Sequence, residues 1–231
     1  MIVYGKQIVL YILDKHPSLI EQIYLNKQID TKLFRKFSSL DKKIVILDNK
    51  KAQAMAKGGN HQGFLLDIKE FQYSKLKDIK NSKFIVVLDG LTDVGNIGSI
   101  CRTSYALGID ALIVCGLKDI KISQIVRVSS GAVLDIPVVL CANIADLPNE
   151  LKHSGYSLIG ACMNGEFDIS DELQQKEKIA LFVGNESKGL SKKVINKIDY
   201  KQTIDMENSF DSLNVSVATG IIIERLRRKI S

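Results

Sequence analysis

Two linked α/β domains, the second built on a mostly parallel sheet, are what this sequence predicts, and three observations predict them. Residues 1–80 carry 15 Lys and Arg against 8 Asp and Glu, while residues 81–231 carry 17 against 18. Glycine runs the other way, with 12 of its 16 positions beyond residue 80. From Lys83 onward, continuous apolar runs alternate with helix-like segments, the pattern of strands buried on both faces of a parallel sheet.

The front piece reads as a small α/β unit. Lys6 to Lys15 places Ile8, Val9, Ile12 and Leu13 at helical spacing, and Pro17 stops the helix. Residues 23–25, 43–47 and 64–66 have strand character, with helices expected over 29–38 and 49–57 between them. Residues 69–82, KEFQYSKLKDIKNS, are polar and lysine-rich with no face to bury, the composition of a linker. The expected division is therefore a domain over 1–68, a linker over 69–82 and a domain over 83–231.

In the back piece, FIVVLDG opens as a buried strand, and a loop and helix over GNIGSICRTSYALG lead to a second strand, ALIVCG. A helix over 122–130 precedes the strand IPVVLCA; a helix over 145–154 precedes YSLIGACM and then IALFVGNE. KQTIDM and a long closing helix from Leu213 to Ile230 complete the chain. Strands alternating with helices imply βαβ units and helices on both sheet faces.

Composition excludes several classes. Cys101, Cys115, Cys141 and Cys162 form no Cys-x-x-Cys pair and suit a reducing compartment better than a disulfide framework. His16, His61 and His153 are scattered and make no metal-ligand spacing with the thiols, so no metal is expected. No apolar run approaches the roughly 20 residues of a membrane span. The N-terminus lacks the basic region and small-residue site of a secretory signal, so the cytoplasm is the simplest address. A net charge of +6 with pI near 9.0, concentrated in the front piece, suits a polyanionic partner.

Three glycine- or asparagine-bearing segments sit where strands end, the edge at which open α/β sheets bind ligands. The first, LDGLTDVGNIGSICRTSYALG (88–108), has Gly95, Asn96 and Gly98 at the helix start and Arg102 further along. As a dinucleotide fingerprint it fails, because the third glycine and the acidic ribose clamp are both missing. The second, LFVGNESKGLS (181–191), runs a strand into a turn with Glu186 and Gly189. The third, IDMENSFDSLNVSVATGIIIERLRR (204–228), offers Asp211 or Ser212 as a helix cap. Each alone has an ordinary reading, and the late Arg225, Arg227, Arg228 and Lys229 suit a helix C-terminal dipole.

Together, in this order, the segments resemble the three motifs of the SpoU (TrmH-like) family of RNA ribose 2′-O-methyltransferases of the SPOUT class. Asn96 and Arg102 match the first motif, Gly184-x-Glu186-x-x-Gly189 the second, and Ser212-Leu213-Asn214-Val215-Ser216 the third. The resemblance covers residues 83–231, and the front piece, with its HQGFLL at 61–66, is similar to the substrate-binding domain that many members carry. Val94 stands where proline is usual, and Asp205 and Asn208 replace the common proline and glycine around Met206.

The resemblance implies a deep trefoil knot, which nothing in the periodicity indicates and which the usual rule of unknotted chains opposes. It implies S-adenosyl-L-methionine as cofactor, held largely by main-chain groups at Gly184, Ile204, Met206 and Leu213. Arg102 is implied as the catalytic arginine, with Asn96, Glu186, Ser212 and Asn214 orienting it, the ribose and the loop. A guanidinium stays charged in proteins, so holding phosphate and stabilising a developing alkoxide suit Arg102 better than service as a base. A homodimer is implied, and Val217, Ile221 and Ile222 of the closing helix suit either a partner or the core. The expected substrate is RNA, with a guanosine of large-subunit ribosomal RNA favoured. A tRNA methyltransferase and a non-catalytic RNA- or ribosome-binding protein of the same fold are the alternatives.

Overall fold

Apolar periodicity organises the chain around two sheets. The computed structural model describes residues 1–166, 168, 171–207 and 212–230. Asn208 and Asp211, on which two sequence expectations rest, lie outside the described residues.

The front elements are β1 (Ile2–Tyr4), α1 (Lys6–Lys15), β2 (Ile20–Leu25), α2 (Thr31–Ser38), β3 (Lys43–Ile46), α3 (Asn49–Met55) and β4 (Phe64–Ile68). The sheet order is β1-β4-β2-β3, with β2 and β3 parallel and the other pairs antiparallel. α1 buries the four residues its spacing predicted, Ile8, Val9, Ile12 and Leu13. Asp30 and Asp48 cap α2 and α3, their carboxylates accepting from the N–H groups of Leu33 and Lys51. β1 is an addition to the expected set. Three residues are too few to show alternation, and pairing with β4, Ile2 opposite Asp67, is what makes them a strand.

The later elements are β5 (Phe84–Asp89), α4 (Val94–Ala106), β6 (Ala111–Cys115), α5 (Ile122–Val128), β7 (Val138–Cys141), α6 (Leu147–His153), β8 (Ser157–Glu166) and α7 (Asp171–Gln174). β9 (Ile179–Gly184), α8 (Lys192–Ile195), β10 (Tyr200–Gln202) and α9 (Val215–Ile230) follow. The six strands take the order β10-β8-β9-β5-β6-β7 and every pairing is parallel. β5 and β9 are the central pair of strands and are buried at every residue, as their unbroken apolar runs require. Ile85, Val87, Ile113 and Phe182 line one face with Leu147 and Leu151 of α6. α9 packs on α4 and on β9.

Packing divides the chain into one unit of residues 1–72 and 121–134 and another of 73–120 and 135–231. Two boundaries therefore differ from the expected ones. Residues 73–82 do bury a face: a single 3₁₀ turn, Leu76–Ile79, buries Ile79, and Tyr156 donates its hydroxyl hydrogen to the carbonyls at Ile79 and Ser82. Apolar residues three apart suit a 3₁₀ turn and are easily hidden among lysines. The α5 segment, expected within the back domain, packs with the front unit. Arg127 lies over the Tyr4 ring at 5.5 Å, and Gly131 has no room for a Cβ beside Tyr11, whose Cδ1 would be 2.4 Å away.

Among the described residues no helix is long and apolar enough to cross a membrane, and no group of three or more potential metal ligands occurs. The four cysteines are unbridged.

Candidate active site

The three motifs meet at the carboxyl edge of the six-stranded sheet. β5 ends at Asp89, and its loop leads to α4, capped by Asp93, whose carboxylate accepts from the Asn96 N–H at 2.7 Å. β9 ends at Gly184 and turns through a small hairpin, closed by paired main-chain bonds between Asn185 and Gly189. The Gly184 site admits no side chain, because the Gly189 carbonyl carbon and the Leu190 nitrogen would lie 2.1 and 2.3 Å from a Cβ. Asp89 accepts from the Ser191 N–H at 2.7 Å, and Asn185 donates to the Gly90 carbonyl at 3.3 Å. These two contacts tie the hairpin to the end of β5. Neither Asp89 nor Asn185 was singled out from sequence, although both stand inside the matching motifs.

Asn96, Glu186 and Asn214 form one hydrogen-bonded set. Asn96 Nδ2 donates to Glu186 Oε1 at 2.6 Å, and Asn214 Nδ2 donates to Asn96 Oδ1 at 3.0 Å. The direction of this relay follows from one main-chain group. The Ser216 N–H can only donate, and it reaches Asn214 Oδ1 at 2.9 Å. Asn214 must therefore turn its amide nitrogen to Asn96, which must offer its oxygen there and its own nitrogen to Glu186. Asn214 also serves as the cap of α9, since its carbonyl accepts from the Ala218 N–H. The expected cap, Ser212, lies two residues too early: the helix begins at Val215, so the side chain that reaches its second N–H is that of Asn214. Ser212 is exposed.

Arg102 makes no hydrogen bond to this set among the described residues. Six residues after Asn96, it projects from a different side of α4, since six steps of 100° leave the two side chains well apart around the axis. It is exposed and makes no ion pair among the described residues. Near it runs a groove of about 480 Å³ lined by Thr103, Leu107, Ser216, Val217, Gly220 and Ile221, with Glu224 and Arg225 at its end. Gly220 makes the close helix crossing possible, for a Cβ there would already lie 3.2 Å from Thr103 Cγ2. The closing-helix residues divide between the two fates left open by the sequence. Ile222 is buried, Ile221 half-buried, and Val217 51% exposed.

Ile204, Met206 and Leu213 are half-buried in the segments between β10 and α9. The thiols sit away from the polar set. Burial pushes Cys101 up to about 12, leaving an inert core thiol on α4. Cys115 and Cys141 face each other on β6 and β7, and the hydrogen bond between them raises Cys115 and lowers Cys141.

A parallel sheet with this strand order, whose carboxyl-edge loops bring an Asn, a Glu and a second Asn together at the start of the closing helix, defines a SPOUT-class methyltransferase domain. The chain belongs to the SpoU rRNA methylase family, which matches residues 83–224. Residues 2–74 match a second family, described as RNA 2′-O ribose methyltransferase substrate binding. A Staphylococcus epidermidis protein classed as a TrmH family tRNA/rRNA methyltransferase is 32% identical over 177 residues, spanning 73% of this chain and 71% of its own. A Staphylococcus aureus relative of the same class is 29% identical and spans 94% of this chain and 91% of its own. Among solved structures, the AdoMet-bound rRNA methyltransferase of Sinorhizobium meliloti is 25% identical with a TM-score of 0.81, covering 100% of this chain and 87% of its own.

Proposed function

We propose that this RNA methyltransferase transfers a methyl group from S-adenosylmethionine to a ribose 2′-hydroxyl, in a guanosine of large-subunit ribosomal RNA. The joined Asn96–Glu186–Asn214 set carries the reading, because it unites one residue from each family motif at the sheet edge where ligands bind. The ribosomal preference has its own support. The Sinorhizobium meliloti rRNA methyltransferase aligns with the whole chain, whereas the A. aeolicus TrmH/SpoU tRNA modifying enzyme aligns with 67% of it at a TM-score of 0.56.

The residues assigned to the cofactor suit it. Gly184 lets the hairpin backbone close against the end of β9 where no side chain fits, and Ile204, Met206 and Leu213 are half-buried apolar residues that keep some surface open. That mixture suits an adenosine held by main-chain groups in an apolar slot. S-adenosylmethionine supplies an electrophilic methyl group on a sulfonium. The protein aligns the hydroxyl and stabilises the charge it develops. Arg102, exposed and free of ion pairs among the described residues, is available for a substrate phosphate and for the developing alkoxide. Asn96, Glu186 and Asn214 hold the α4 start, the β9 turn and the α9 start in register, and Ser212, two residues before Asn214 in the third motif, is assigned to the same orienting role.

The reading includes a trefoil knot in the segment around β10 and α9, and a homodimer. A second copy laid on the α4–α9 groove would cover Val217 and Tyr105, which are 51% and 42% exposed, and would lie close to Arg102. Residues 1–68 serve to hold RNA, residues 83–231 to transfer the methyl group. The four unbridged thiols suit the cytoplasm.

Mapping of 2′-O-methyl positions in total RNA, with and without the gene, tests the proposal. One large-subunit position should lose its methyl group when the gene is deleted. Loss at a tRNA position instead would move the substrate, and no change at any position would favour a non-catalytic RNA-binding role.

A further inference from the structure

One end of the front sheet gathers cations and bare apolar side chains around a junction of three turns. Asn26 fixes the junction: its main-chain N–H donates to the Gly63 carbonyl and its side-chain amide to the Leu47 carbonyl, both at 3.0 Å. Those three residues follow β2, precede β4 and follow β3, so all three turns lie at one end. α2 and α3 both start there. Exposed Lys27, Lys32, Lys50 and Lys51 stand on these turns and first helical residues, with Lys27 reaching across Gly63 to lie 4.9 Å over the Phe64 ring. The acids at this end, Asp30 and Asp48, serve as helix caps, and Asp48 Oδ2 also lies 3.5 Å from Lys51 Nζ, an exposed pairing that a phosphate would displace. The Lys51 N–H holds the Asp48 carboxyl below the usual range. Asp14, Glu21, Asp41, Asp67 and Glu70 lie toward the opposite end, where they offset the lysines around them.

Two exposed apolar residues lie toward the same end of the front sheet. Phe34, in the first turn of α2, is 45% exposed, and Ile46, the last residue of the edge strand β3, is 69% exposed. An A-form duplex presents phosphates and 2′-hydroxyls but no base faces, and has no use for an aromatic ring. Unpaired nucleotides present both phosphates and faces, and a base stacked on an aromatic side chain amid lysines is the usual way they are held.

Resting on the RNA methyltransferase reading above, we propose that this end of the substrate-binding domain holds an unpaired loop of the RNA, with a base stacked on Phe34 and Ile46 and phosphates on Lys27, Lys32, Lys50 and Lys51. The enzyme would then choose its substrate by a looped-out structure.

Fluorescence anisotropy with the full-length protein tests this, using a hairpin RNA with an open loop and the same sequence annealed to its full complement. The wild type should prefer the hairpin. Phe34→Ala should weaken hairpin binding by roughly 10-fold and leave duplex binding as it was. Lys50→Ala combined with Lys51→Ala should weaken both and flatten the salt slope of log K for the hairpin by about 1.4. Lys42→Ala combined with Lys43→Ala, at the opposite end, should match the wild type, and all variants should melt near the wild-type temperature. Hairpin binding by Phe34→Ala equal to wild type, or an equal loss in the Lys42/Lys43 variant, overturns the proposal while leaving the methyltransferase reading standing. Wild-type protein that binds neither RNA and methylates none overturns both.

Discussion

Asn96 Nδ2 donates to Glu186 Oε1 at 2.6 Å, joining the start of α4 to a turn 90 residues further along the chain. Through Asn214 the same carboxylate is linked to the start of α9. Three loops that the sequence separates widely are thus held by side chains with little burial. Such bonds contribute modestly to stability, about 1 kcal/mol each. Their effect lies in position.

Removing the shared acceptor should therefore cost activity more than stability. Glu186→Ala is expected to lower methyl transfer about 100-fold, the scale of a 1 Å misplacement. Its melting temperature should stay near that of the wild type. Glu186→Gln keeps an acceptor for Asn96 and should retain most activity. Turnover measured beside thermal melting checks this, and a Glu186→Ala enzyme as fast as the wild type would refute the positioning role.

Arg102 calls for the opposite comparison with its neighbours, since no described residue pairs with it. Arg102→Ala should change stability by less than about 0.5 kcal/mol, as exposed substitutions usually do. Methyl transfer should fall below detection while S-adenosylmethionine affinity, read by calorimetry, stays unchanged. Near wild-type turnover would remove Arg102 from the site.

Gly184 is a steric requirement. A Cβ at that position would meet the Gly189 carbonyl carbon at 2.1 Å, so Gly184→Ala must displace the hairpin backbone. The expected cost is about 1–3 kcal/mol, the range for overpacked sites, together with weaker cofactor binding. Denaturant unfolding of the variant checks the first expectation and calorimetry the second.

Fold and site were legible in the sequence to different depths. β5 and β9 show themselves as unbroken apolar runs because both their faces are covered, and α1 because its four buried residues keep helical spacing. Asn96, Glu186 and Asn214 could be named from motif resemblance, but only the folded chain brings them within bonding distance. β1 stayed hidden because three residues acquire strand character only by pairing with β4. Ile79 stayed hidden because lysines surround a one-turn 3₁₀ helix. The side of α4 from which Arg102 projects depends on how far the helix has turned between residues 96 and 102. No list of motif residues carries that angle.

The α5 segment has a consequence for how this protein could be cut or recombined. The front unit is a split fold: its last piece, residues 121–134, arrives from the middle of the chain. A protease that nicks the chain after Gln72 would release nothing, because the fragment still clasps that piece through Tyr4 against Arg127 and Tyr11 against Gly131. It would behave as a complemented pair of fragments. Conversely, a gene fusion that borrowed only residues 1–72 would inherit a surface missing its natural cover, and one that discarded them would leave α5 bare.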